Sequence, residues 1–104
     1  MSNEPWSEQY RLAAKDWVEK DAAAELLEHT KSAVLAQMMS RLGDVPVNRA
    51  ERDVKASDEW EDFVVKMVEA KKAANLAKVR MEYLRMKYHE WQSFEATKRV
   101  EARL

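Results

Sequence analysis

Residues 60–91 read WEDFVVKMVEAKKAANLAKVRMEYLRMKYHEW, and their spacing decides the fold. With Trp60 at position a of a heptad, the a residues are Trp60, Met67, Ala74, Met81 and Tyr88. The d residues are Phe63, Ala70, Ala77, Leu84 and Trp91. An apolar or small residue stands at every one of these places. A seam sustained over more than four heptads predicts a long helix packed along its length on another helix. The seam stops beyond Trp91, where Glu95 and Lys98 take the next a and d places, so the last turns are expected to project past the partner helix.

The boundaries of this helix are legible on both sides. Ser57 is placed to cap it, and Asp58, Glu59, Glu61 and Asp62 crowd its positive end. Nothing between Asp58 and Leu104 breaks the pattern, so a helix over 58–104 is predicted. Upstream, Pro5 suits a helix start and Gly43 a left-handed helix stop, with neither residue type in between. A helix over about 5–42 follows. Its apolar positions are Trp6, Tyr10, Ala13, Ala14 and Trp17, then Leu27, Val34, Leu35, Met38 and Leu42, with Thr30 and Lys31 as the weak point. One helix is the favoured reading, and Lys20-Asp21, where Asp21 is placed to cap a new helix, is the place at which it could bend. Residues 43–57 form the connector. Asp44 to Val47 read as extended chain, and Asn48 to Glu51 has the spacing of a capping box that would open a short helix over 48–56.

Together these elements predict a single all-α domain over 1–104, a long antiparallel helical hairpin of coiled-coil type that assembles into a helical bundle. From the helix and loop lengths, opposing residue numbers should sum to about 102. Phe63 then meets Met38 or Met39. Ala70, Ala74 and Ala77 lie beside Leu26, Leu27 and Thr30. Tyr88 and Trp91 lie over Ala13 and Ala14.

Composition agrees and excludes several classes of function. One glycine and two prolines leave little room for turns, and more than a third of the residues are charged. The absence of cysteine rules out disulfides and thiolate metal sites. No apolar run approaches the roughly 20 residues of a membrane span, and the N-terminus does not read as a secretory signal. The expected compartment is the cytoplasm. No catalytic or metal-binding residue set emerges, no cofactor is implied, and the chain is not expected to be an enzyme. His29 and His89 are the only histidines, and neither follows an acidic residue by three positions as helical metal sites require. A single glycine cannot build a phosphate-binding loop.

Two features remain as candidates for binding. Leu76, Val79, Tyr83 and Met86 form a second apolar stripe at the c and f positions, away from the seam. A two-helix hairpin cannot cover both stripes. The second is therefore expected to be an oligomer interface, unless residues 5–20 or 48–56 fold over it. The other feature is charge. Residues 1–43 balance to −2, residues 44–65 to −4 and residues 66–104 to +5. Lys71, Lys78 and Arg85 recur every seven residues and form one line, with Lys66, Arg80 and Lys87 on the opposite flank of the seam. Such a line suits a phosphate backbone, giving a weak nucleic-acid-binding reading. The plainer reading is that these cations pair with Glu19, Glu25 and Glu28 on the other helix. Tyr83 and Phe94 are the aromatics left free for stacking on bases, since Tyr88 and Trp91 belong to the seam.

The second half of the chain also resembles a group of small uncharacterised helical proteins of bacteriophages and prophages. The matching parts are Glu69-Ala70-Lys71, Ala74-Asn75-Leu76-Ala77-Lys78 and the ending from Glu95-Ala96-Thr97-Lys98-Arg99 through Leu104. Some genes of that group lie among phage recombination and replication genes. The resemblance implies a non-catalytic accessory factor acting around DNA, in the host cytoplasm. A protein–protein adaptor or inhibitor that uses the apolar stripe without touching nucleic acid is the alternative.

Overall fold

A computed structural model describes residues 4–103. Three helices follow in order: α1 Trp6–Ser40, α2 Val47–Lys55 and α3 Asp58–Arg103. The long helices α1 and α3 pack antiparallel over much of their lengths, and the molecule is a rod of 83 × 21 × 17 Å. Its core is correspondingly thin. No side chain is completely buried, and no polar or charged residue is buried among those described.

The predicted seam is what α3 turns inward. Trp60, Met67, Ala74, Ala77 and Leu84 are buried, and Phe63, Ala70, Met81 and Tyr88 are half-buried. Trp91 departs from the pattern at 46 % exposed. It lies at the level of Trp6, where α1 begins, so little chain stands opposite to cover it. From there α3 runs on to Arg103, roughly 18 Å at the rise of an α-helix, and of residues 92–103 only Glu95 is even partly covered.

On α1 the buried residues are Ala13, Ala24 and Met38. Ala24 and the half-buried Asp21 were not among the residues expected on this face, whereas Leu42 was and is 43 % exposed, because α1 ends at Ser40 and Leu42 lies in the turn. α1 runs through Lys20-Asp21 as one continuous helix, the favoured reading. Asp21 sits inside a continuous helix, and tertiary packing of the seam overrides its capping tendency. Thr30 satisfies its hydroxyl by donating to the carbonyls of Leu26 and Leu27, at 2.9 and 3.2 Å. Met38, Met39 and Phe63 do share a cluster with Trp60. At the far end Trp6 and Trp91 border one depression, and Ala13 and Arg80 border another.

The connector holds the closed end of the rod. Gly43 has φ of +79°, the left-handed conformation expected of it. The predicted capping box is not used. α2 starts one residue earlier than expected, with Pro46 at its N-cap and Asn48 already inside the helix. The Ala50 N–H donates to the Pro46 carbonyl at 2.9 Å, and Pro46, with φ preset by its ring, takes the cap position. Pro5 does the same for α1, accepting from the N–H groups of Glu8 and Gln9. α2 buries Ala50 and Val54, and Val54 packs into the cluster of Met38 and Trp60. Ser57 caps α3 as expected, its Oγ accepting from the Trp60 N–H at 3.2 Å. Arg41, just past α1, donates to the Glu59 carboxylate in the first turn of α3 at 2.9 Å.

Two paired groups at the opposite end, Glu8 and Arg11, have displaced titrations. The hydrogen bond from Arg11 holds the Glu8 carboxyl below its usual range; partial desolvation opposes this, and the Arg11 charge adds to it. A lowered carboxylate pKa helps the folded state above the unfolded-state pKa and loses that help as pH falls through the folded value. Glu8 is half-buried and Arg11 exposed, and the pair is local to the first turns of α1.

The alanine layers hold the two helices together. Ala74 is 3 % exposed, the least of any described residue. Ala74→Glu would bury a charge without a partner and is expected to cost several kcal/mol, about half of the stability of a small domain. Melting followed by circular dichroism should show a drop of more than about 10 °C; an unchanged melting temperature would overturn the seam.

Candidate interaction surface on the outer face of α3

The outer face of α3 is built by the same heptad that builds the seam. With a and d turned toward α1, positions c and f point away from it. Leu76, Val79, Tyr83 and Met86 occupy those positions and are 62, 62, 52 and 57 % exposed. Neither segment expected to offer cover reaches them. Residues 6–20 belong to the single helix α1 on the seam side, and α2 packs at the connector beside Met38 and Trp60. Within one chain the stripe therefore stays open to solvent.

The stripe is longer than the four residues singled out from the sequence. Val65 at position f and Val68 at position b are also more than half exposed and extend it toward the start of α3. The heptad already placed them there, but a strict step of three or four from Leu76 passes through Lys72 and Glu69 and so missed them. Beyond α1, Phe94 and Val100 are exposed as well. A shallow depression lies on this face, bounded by Val68, Lys71, Lys72, Asn75, Leu76 and Val79. Farther along, the Lys87 ammonium stands 5.8 Å from the Tyr83 ring centre and 3.5 Å from a Glu90 carboxylate oxygen.

The basic line lies on a neighbouring flank. Lys71, Lys78 and Arg85 are all exposed. None of the three forms an ion pair or side-chain hydrogen bond among the described residues, and Glu19, Glu25 and Glu28 do not reach them. Among those residues Arg41–Glu59 is the ion pair that joins two helices, and it sits at the connector. The line of positive charge is left uncompensated along the middle of the rod.

His29 and His89 are both exposed, and no group of three histidine or acidic residues among those described is close enough to hold a metal. No described helix is long and apolar enough to cross a membrane. In comparisons with known proteins the chain matches no family model, no curated protein and no solved structure.

An exposed stripe and a buried seam respond differently to charge. Leu76→Lys with Met86→Lys should leave the helical circular dichroism spectrum intact, because surface substitutions away from packed sites change stability by about 0.5 kcal/mol or less. Loss of helix in this variant would show that the stripe is part of the fold.

Proposed function

We propose that this chain is a non-catalytic binding protein that presents the outer face of α3 to another protein. One observation carries the reading. Six apolar residues from Val65 to Met86, each more than half exposed, lie on the side of a rod whose own helices cover only the opposite side. An exposed apolar strip of this kind on a small domain, broken only by Glu69 and Lys72, is the mark of an interaction surface. A two-helix rod with so little core is also suited to a scaffolding task, since its surface is long relative to its mass. The likeness of its second half to phage and prophage proteins supports a setting: an accessory factor in the host cytoplasm, working near DNA recombination or replication.

The test compares wild type with the Leu76→Lys, Met86→Lys variant, each immobilised and exposed to bacterial extract. Proteins held by wild type and lost with the folded variant are the expected result. Equal retention by both would remove this face from the function.

A second reading rests on the uncompensated line of Lys71, Lys78 and Arg85, which would follow a nucleic acid backbone. Binding of that kind must weaken with salt, by a slope of about −0.7 per neutralised phosphate on a single strand, so near −2 for three contacts. Titration of labelled single- and double-stranded oligonucleotides in low and moderate salt measures it. Changing all three residues to glutamine should abolish both the binding and the slope. No binding by wild type in low salt would end this reading and leave the protein contact alone.

A further inference from the structure

We propose that the occupant of the α3 outer face is a second copy of the same chain, aligned parallel and in register. The proposal rests on the binding reading above and specifies its partner. The argument comes from the charges that flank the stripe. With c and f as the contact positions, the flanks are b and g. On one flank stand Glu61, Val68, Asn75, Glu82 and His89, and on the other Lys66, Ala73, Arg80, Lys87 and Phe94. In a parallel pair, each residue of the first flank meets the residue five later on the second copy. Glu61 then meets Lys66, Glu82 meets Lys87, Asn75 meets Arg80 and Val68 meets Ala73 of the second copy. Opposite charges meet at two of these places, apolar groups at a third, and the neutral Asn75 amide faces Arg80 at the fourth.

An antiparallel pair fails the same comparison. Its flanks meet like with like, and where the Val65–Met86 stripes overlap most fully Lys66 is set against Lys87 or Arg80 of the second copy. Like charges at these positions select against that direction. Glu69 and Lys72 interrupt the stripe itself, at positions c and f. In the parallel pair each faces its own counterpart, and the opposite charge of the second copy lies one layer away, so these two layers form a polar cluster in which Glu69 and Lys72 pair diagonally, within a chain and across the interface, at a cost in stability. The part of α3 that α1 leaves uncovered continues the pattern. Phe94 of one copy falls beside His89 of the other, and Val100 faces its own counterpart.

Area is sufficient as well. If each of the six exposed stripe residues hides on the order of 100 Å², a symmetric pair buries about 1,200 Å², the lower bound of a stable interface. The assembly would be a four-helix ribbon with the two α3 helices at its centre and the α1 helices outside.

Sedimentation equilibrium and cysteine cross-linking test it. Wild type should be a dimer at high-micromolar concentration. Because the chain has no native cysteine, Met86→Cys gives a single reporter far from the middle of the stripe. Under mild oxidation it should cross-link to itself efficiently. In an antiparallel pair it would stay unlinked alone and react with a Val65→Cys chain mixed with it, which would overturn the proposal. Glu61→Lys with Glu82→Lys should weaken the dimer by at least on the order of tenfold. Adding Lys66→Glu and Lys87→Glu to that chain should restore it; no restoration would refute the flank pairing. A monomeric wild type would overturn self-association while leaving the same face open to a different protein, so this failure and that of the binding reading are distinct.

Discussion

The rod depends on one constraint: two helices must lie close enough along the seam for a thin apolar layer to hold them. Ala74, Ala77, Ala24 and Ala13 are all buried, and small side chains let backbones approach. Larger residues then lock the ends of that layer. Trp60, Met67 and Leu84 are buried on α3, and each such side chain contributes about 1.5–3 kcal/mol when removed from water. The aromatic cluster of Trp60 with Phe63, rings 5.5 Å apart, closes the connector end against Met38 and Val54. Because no polar group is buried there, no part of this stability has to compensate an unsatisfied donor or acceptor.

The connector explains how so short a chain achieves this register. A simple loop would let α1 and α3 slide. Here α2 inserts Val54 into the Met38–Trp60 cluster, Ser57 caps α3, and Arg41 ties the end of α1 to Glu59. These contacts are concentrated at one end. The other end is looser by construction: α1 begins at Trp6 while α3 continues, and aromatic groups such as Trp91 and Phe94 remain accessible.

Function in this molecule follows from what the fold leaves over. A single heptad on α3 supplies two apolar faces, and one antiparallel partner can cover only one of them. The same geometry separates the Lys71, Lys78 and Arg85 line from the acids of α1.

Sequence alone determined the helices, the seam and the inward-facing residues of α3, because heptad periodicity, the Ser57 cap and the Gly43 stop are local properties of the chain. It also placed Leu76, Val79, Tyr83 and Met86 opposite the seam, which needs only the helical repeat. Three matters were decided by tertiary structure. Whether anything folded back over the stripe depended on α1 staying continuous through Asp21, a choice made by packing against α3 over a local capping preference. The placing of Trp6 beside Trp91 at the far end depended on how the two long helices pack, which no periodicity within either helix specifies. The state of the basic line depended on distances between side chains of different helices, and no periodicity within α3 can specify whether Glu19, Glu25 or Glu28 reaches it.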